Sequence, residues 1–258
     1  MFSLTRHVPP ASIAVALVAG SAPILASAQQ AANAATPWGV GLAVATFQRP
    51  YAGTANKTIA FPALSFENDY IKLAGAGIDL KLFSAGPVNF ALRTKYALGD
   101  GYKSGNAPIL EGMADRKGSL WTGPAASWNN DVANVSVEVL ADVLHKSKGV
   151  QGRLNLDHYL RAGSFVFTPH AAAVFLDKKY VDYYYGVAPS EARPNRPAYE
   201  GKSTVNLEGG FRTAYLFDAA DSVFLDLSAT ALGKAITDSP LVDRKVTAGV
   251  VLGYLYRF

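Results

Sequence analysis

The feature that most constrains this chain is a two-residue period in hydrophobicity, repeated along nearly its whole length. Between Asn134 and Leu144 one alternate set is Val135, Val137, Val139, Ala141 and Val143, and the other is Asn134, Ser136, Glu138, Leu140 and Asp142. An extended strand sends two such sets to opposite faces, whereas a helix needs apolar residues three and four apart. The same separation sets Val88, Phe90, Leu92, Thr94 and Tyr96 against Asn89, Ala91, Arg93 and Lys95. It sets Val205, Leu207, Gly209, Phe211, Thr213, Tyr215 and Phe217 against Asn206, Glu208, Gly210, Arg212 and Ala214, and it recurs at Val223–Ala231.

Several of these runs extend for 10 to 14 residues. Strands of a soluble β-sandwich average about 5–6 residues, whereas a tilted strand needs about 9–11 to cross an outer membrane. The connections also come in two kinds. Turn-forming chemistry joins strands at Glu67-Asn68-Asp69, Ser84-Ala85-Gly86-Pro87, Asn129-Asn130-Asp131 and Asp218-Ala219-Ala220-Asp221. Long polar segments run over about 99–118, 181–202 and 233–244. Short turns alternating with long loops are the pattern of a transmembrane antiparallel up-and-down β-barrel, turns on the periplasmic side and loops outside. A secreted sandwich is the competing fold.

Candidate strands fall near 37–46, 57–66, 69–83, 87–97, 119–129, 132–144, 150–162, 164–177, 203–217, 221–232 and 245–258. Eleven is odd, and single-chain bacterial barrels are normally even. Splitting 69–83 into two crossings at Gly75-Ala76-Gly77 makes twelve, the expected number; demoting an N-terminal piece makes ten, the alternative.

Residues 1–28 read as a secretory signal peptide, with Arg6 as its positive region, an apolar core over Ala11 to Gly20 and a small-residue cleavage site at Ala26-Ser27-Ala28. Pro9, Pro10 and Pro23 keep the apolar run too short to span a bilayer. The barrel domain is then expected over 29–258, in the outer membrane of a Gram-negative cell. The chain has no cysteine, which excludes a disulfide scaffold, a thiolate nucleophile and a Cys-ligated metal. Its net charge of +4 comes without Lys/Arg clusters, and no nucleic-acid partner is expected.

In the last strand Val246, Ala248, Val250, Leu252, Tyr254, Tyr256 and Phe258 form one face, ending in three aromatics at the C-terminal residue. Such an ending looks like the signal by which barrel-assembly machinery recognises its clients, with Tyr254, Tyr256 and Phe258 as its contacts. The opposite, lumen-facing set gathers along the chain the acids Asp79, Glu138, Asp142, Asp157, Glu208 and Asp226. It also gathers the bases Lys81, Arg93, Lys95, Arg153, Arg161, Arg212 and Arg257. Buried charges must be paired, so a salt-bridge network plugging a narrow lumen is expected; a wet channel is the alternative.

The stretches Tyr184-Tyr185-Gly186-Val187, Arg196-Pro197-Ala198-Tyr199, Asp238-Ser239-Pro240-Leu241-Val242 and the closing Tyr254-Leu255-Tyr256-Arg257-Phe258 resemble the MipA/OmpV family of outer-membrane proteins, also called MltA-interacting proteins. Tyr51-Ala52-Gly53 fits the same family more loosely. The resemblance implies an outer-membrane barrel acting as a scaffold between a murein lytic transglycosylase and a murein synthase. It carries no catalytic residues and no cofactor.

Three further features carry potential chemistry. His145, His158 and His170 are not spaced as a metal pair, so no metal site is expected. His170 faces inward and could serve a Ser–His–acid hydrolase, a third function after scaffold and small-solute channel. Tyr183, Tyr184, Tyr185 and Tyr199 flank the longest outer loop, either as a contact surface or as an aromatic belt with loop packing. Lys146, Lys148 and Arg153 lie around a loop where lipopolysaccharide headgroups would sit.

Overall fold

The computed structural model describes residues 38–97 and 100–258; the signal peptide expected over 1–28 lies outside the described residues. Thirteen strands dominate the described residues. They are β1 (Trp38–Phe47), β2 (Lys57–Glu67), β3 (Ile71–Ala74), β4 (Gly77–Ala85), β5 (Val88–Tyr96), β6 (Leu120–Asn129) and β7 (Asn134–Asp142). Then follow β8 (Val150–Asp157), β9 (Leu160–Ala162), β10 (Phe165–Leu176), β11 (Thr204–Leu216), β12 (Asp221–Ala231) and β13 (Val246–Arg257). Two short helices, α1 (Lys178–Tyr185) and α2 (Lys234–Thr237), lie in loops.

Every pairing is antiparallel and, apart from β8 with β10, joins sequence neighbours; β1 also pairs with β13 from Gly39↔Arg257 to Phe47↔Gly249. The sheet is therefore closed. β8 and β9 pair with the same strand, β10, on either side of an interruption at His158-Tyr159, so they form one stave. The wall is a twelve-stave barrel. The expected crossing over 69–83 is a hairpin, β3 and β4, reversing at Gly75-Ala76, where Gly75 takes φ +56°. A residue with a Cβ would be strained there.

Three prolines sit inside strands, each where the ladder has no use for its missing N–H. Pro169 lies beside the break between β8 and β9, and its carbonyl accepts from His158 N–H at 3.3 Å. Pro124 lies where the β6–β7 pairing skips between Thr122↔Ala141 and Ala125↔Glu138. Pro62 lies on β2 beyond the last residue that pairs with β3.

Trp38, Phe258 and the connections at 68–70, 86–87, 130–133, 163–164 and 217–220 share the short-turn, periplasmic end. The opposite end carries the connections 48–56, 97–119, 143–149, 177–203 and 232–245, with the Gly75-Ala76 turn as the exception. Outward side chains are apolar and exposed, as Leu42 at 70% illustrates; in the membrane they meet acyl chains. Aromatic pairs mark the periplasmic edge of that band: Trp38 with Phe66 (4.4 Å between centroids), Phe83 with Phe90 (4.7 Å) and Phe165 with Tyr215 (4.9 Å). This is the interfacial girdle of a barrel. No helix among the described residues is long and apolar enough to cross a membrane.

Candidate functional site

The lumen is the candidate site, and it is layered. Its middle layer is charged. Arg93 on β5 donates to Asp79 on β4 through Nε at 2.7 Å and Nη2 at 2.6 Å, and to Glu138 on β7 through Nη1 at 2.8 Å. Lys95 closes on the other oxygen of Glu138, and Arg153 on β8 pairs with Glu208 on β11. Arg212 Nη2 donates to Asp226 Oδ2 at 2.8 Å. His170 Nε2 comes within 3.3 Å of the same oxygen. Inward facing follows from strand parity; pairing follows from register, since Asp79↔Arg93 and Arg212↔Asp226 are direct cross-strand partners.

Not every expected member joins. Asp142 accepts instead from Ser119 Oγ, Ser147 and the Lys148 N–H, fixing the β7–β8 loop. Asp157 accepts from Asn134 and Asn155. Arg161 lies exposed near the periplasmic turn, its Nε donating to Gly163 C=O at 3.3 Å. Lys81 pairs with Glu67, which also holds Lys72. The charges thus form separate wall-bound clusters rather than one continuous network. Some pairs are direct cross-strand neighbours, whereas others reach past a strand, as Glu138 of β7 does to β5 and Arg153 of β8 does to Glu208 of β11. Arg153, held in the lumen by Glu208, is not at a loop tip with Lys146 and Lys148.

A second, apolar material closes the outer mouth. Loop residues Leu110, Val181, Ile236 and Leu241 pack with the inward strand residues Trp121, Leu140, Val174 and Leu176, all buried in one cluster. Polar ties hold the loops down onto it. Arg196 is 1% exposed. It donates through Nη1 to Ile109 and Glu111 carbonyls at 2.5 and 3.0 Å, and through Nη2 and Nε to Glu191 C=O at 2.6 and 3.2 Å. Ser239 Oγ donates to Tyr185 C=O at 2.6 Å, Tyr199 hydroxyl to Ala235 C=O at 2.7 Å, and Tyr51 hydroxyl to Tyr184 C=O at 3.2 Å. Asp177 caps α1 by accepting from Tyr180 N–H at 2.8 Å.

Two of the tyrosines are packed into the cap and two are half-buried at its edge. Tyr184 is 1% exposed and Tyr185 is buried beside Tyr51, ring centroids 5.6 Å apart. Tyr183 lies under the Arg116 guanidinium, and Tyr199 spends its hydroxyl on α2. These side chains are already used inside the cap. Burial pushes the Tyr51 and Tyr180 hydroxyls well up, and Tyr102 to about 12. Burial likewise raises the carboxyl of Asp100, against the opposing hydrogen bond from Tyr180 (3.0 Å) and the charges of Lys95 and Lys57.

Sequence reasoning missed this cap because its apolar members fall in short aperiodic pairs through three polar loops. A signal was present all the same. The family-like stretches at 51–53, 184–187, 196–199 and 238–242 all meet here: Ala52 N–H donates to Leu241 C=O at 2.8 Å, and Val187 bridges Tyr199. The closing aromatics lie elsewhere, with Tyr254, Tyr256 and Phe258 outward on the periplasmic edge and Tyr254 hydroxyl bonded to Asp221. Among the described residues no cluster of His, Cys, Asp and Glu could hold a metal, and no serine hydroxyl is hydrogen-bonded to His170.

A third layer, toward the periplasm, is again apolar: Ala43, Ala63, Val166, Ala214, Phe224 and Leu255 cluster on one side of the lumen, with Phe61, Ala74, Leu216 and Val251 against them.

Comparison with known proteins agrees with this architecture. The sequence profile of the family described as MltA-interacting protein MipA matches residues 40–258. The putative outer membrane protein YiaT of Escherichia coli K12 is 27% identical, over 92% of this chain and 95% of its own. The MltA-interacting protein of the same strain is 22% identical over 91% and 96%. A solved outer membrane channel from Pseudomonas putida F1 aligns with 88% of this chain and 97% of its own, at 12% identity and a TM-score of 0.42.

Proposed function

The chain belongs to the MltA-interacting protein MipA family of outer-membrane barrels, and from that premise we propose that it is a non-catalytic scaffold. Its barrel holds position in the outer membrane, and its periplasmic rim holds a murein lytic transglycosylase, with a murein synthase recruited beside it. The name of one relative supports the partner class. The observation that carries the reading is the cap: with the outer mouth packed by Leu110, Trp121, Ile236 and Leu241, the exposed rims are what remain for function.

The periplasmic rim offers suitable chemistry. Tyr70 and Val132 project from turn tips at 71% and 81% exposure. Asp69 and Asp131 adjoin them in sequence, and Asp218, on another turn of the same rim, is held below the usual carboxylate range by the N–H groups of Asp221 and Ala220. An apolar tip with adjacent charge is the pattern of a protein contact. Lipopolysaccharide would meet Lys146 and Lys148 on the outer side, and the barrel-assembly machinery would read Tyr254, Tyr256 and Phe258.

Detergent-solubilised protein with an affinity tag, mixed with purified MltA-class transglycosylase, is expected to retain it, and Tyr70→Ser with Val132→Ser to lose it. Equal retention by wild type and the double variant removes the rim from the reading. A large, stable ohmic conductance in planar bilayers would replace the scaffold with a channel. Acyl-chain release abolished by His170→Ala would replace it with a hydrolase.

A further inference from the structure

The outer ends of the adjacent staves β7, β8, β10 and β11 carry a local cluster of exposed cations. Lys146 and Lys148 stand in the turn after β7, Lys178 and Lys179 open α1, and Lys202 lies in the segment leading to β11; all five are exposed. Two close backbone approaches bring them together. A Cβ at Gly149, next to Lys148, would stand 2.9 Å from Tyr180 N and 2.7 Å from Asp177 Oδ1. A Cβ at Gly201, next to Lys202, would collide with the backbone nitrogen of Asp182. Lys148 and Lys202 therefore flank a helix only about 12 Å long, which itself carries Lys178 and Lys179.

The carboxylates nearby are largely committed to backbone N–H groups. Asp142 is buried and accepts from the N–H groups of Ser147 and Lys148 at 2.6 and 3.0 Å. Asp177 accepts from Tyr180 N–H, and Asp182 from Gly201 N–H at 2.8 Å. Glu200 pairs with Lys178. Among the described residues no carboxylate lies within ion-pair distance of Lys146, Lys148, Lys179 or Lys202. Elsewhere on the outer side Arg116, Lys234 and Arg244 each have one, on Glu191, Asp238 and Asp243.

Asp142 also sets the shape of the turn. His145 and Lys148 take φ +54° and +56°, the left-handed region that favours glycine. One carboxylate oxygen of Asp142, bonded to Ser147 Oγ as well as to both N–H groups, holds the turn in that form. Ser147 is thereby buried, and Lys146 and Lys148 are left outward. Directly below, Val143, Val150, Phe175 and Val205 face outward and are exposed, the last two as cross-strand partners. Cations above an oily wall complement an amphiphile with an anionic head; a soluble polyanion would have no use for the wall.

We propose that the turn after β7 and helix α1 together bind the phosphorylated headgroup of an outer-leaflet glycolipid, its acyl chains lying on the wall of β7, β8, β10 and β11. Lysine stems lie along the lipid while their ammonium groups reach the phosphates. The site is independent of the scaffold role, which uses the opposite rim.

Native mass spectrometry of the detergent-solubilised chain with diphosphorylated lipid A tests it. Saturable binding of one lipid per barrel is expected. At about fivefold per lysine facing an anionic headgroup, combining Lys146→Gln, Lys148→Gln, Lys179→Gln and Lys202→Gln should weaken binding by at least roughly a hundredfold. The same loss of charge on other loops, through Lys103→Gln, Lys234→Gln, Arg244→Gln and Lys245→Gln, should change it less than about threefold at about 0.15 M salt. Equal loss in both variants, or none in the first, overturns the site. Dephosphorylated lipid A binding as tightly as the phosphorylated form overturns it in favour of adsorption to the bare wall. Displacement of the lipid by an equal concentration of inorganic phosphate overturns it in favour of a free anion. Should the first variant fail to fold, acetylation of the unaltered chain decides. Lipid A at about ten times Kd is expected to slow the reaction of Lys146, Lys148, Lys179 and Lys202 roughly tenfold, leaving Lys103 and Lys245 unchanged. Equal slowing of all six lysines, or of none, overturns the proposal.

Discussion

Replacing Arg196 with alanine is expected to open the cap and leave the barrel standing. The guanidinium makes four hydrogen bonds to three carbonyls, on Ile109, Glu111 and Glu191, and so ties the 97–119 loop to the 177–203 loop. It makes no contact with a membrane-spanning ladder. A hydrogen bond to a charged group contributes about 1.5–3 kcal/mol, and a buried carbonyl left bare costs a similar amount. The four are not additive, and the Glu111 and Glu191 carbonyls can meet water once the loop lifts. Two bonds' worth, about 3–5 kcal/mol, is the reasonable expectation for the closed-to-open equilibrium. At about 1.4 kcal/mol per factor of ten, the open population rises by roughly two to three and a half powers of ten. Limited proteolysis of the folded protein in detergent reads that population directly when reclosing is fast relative to cleavage. Cuts should concentrate in the two tied loops, while the heat-modifiable mobility of the barrel stays that of wild type. Arg196→Lys, a point charge unable to reach three carbonyls together, should recover less than half of the effect. Loop cleavage within roughly threefold of wild type would mean that apolar packing alone holds the cap, and the reasoning from its polar ties would fail.

Glu138→Gln removes the charge shared by Arg93 and Lys95 and one of its two acceptor oxygens; a drop of about 2–4 kcal/mol in urea-unfolding stability is expected, partly restored by Lys95→Met, as for a buried pair broken on one side. Asp100 carries a raised pKa, so the folded state holds its proton more tightly than the unfolded chain. Cap stability should be greatest below the ordinary carboxylate range and fall as pH rises from about 4 through the raised value. Asp100→Asn should flatten that fall in pH-dependent loop proteolysis. Gly41 has no room for a Cβ, which would stand 1.8 Å from the Tyr254 carbonyl oxygen across the β1–β13 seam. Gly41→Ala should therefore lower the refolding yield in detergent, with a cost of at least about 1–3 kcal/mol, whereas Gly249→Ala should be far milder. Phe258→Ser is expected to slow assembly into membranes carrying the barrel-assembly machinery while leaving refolding in detergent unchanged; equal slowing in both would assign Phe258 to stability alone.

Much of the wall was legible because its physics is local. A strand with lipid on one face and lumen on the other must alternate, and Val135 to Val143 state the phase without reference to any other strand. The need for an even number of staves then divided 69–83 at the glycine that does take positive φ. What local reading could not supply was partner choice. Asp142 and Glu138 share one strand and one face, yet one tethers a loop and the other pairs with two cations. The difference lies in how far up the wall each stands, which register across several strands determines. The cap was illegible for a related reason: Leu110, Val181, Ile236 and Leu241 each belong to a short apolar pair with no period in a polar loop until the barrel brings the loops together. Tyr184 and Tyr185 read as surface aromatics on the same account.

At the seam, Phe258 N–H donates to Trp38 C=O at 3.4 Å and β1 is zipped to β13 along its length. A ring of staves joined in this way has no privileged beginning. Linking residue 258 to residue 38 and cutting instead at the Gly163-Ser164 turn would break no ladder pairing, so a circular permutant with new ends there should reach the same barrel, and the present order of synthesis is one of several that the architecture would accept.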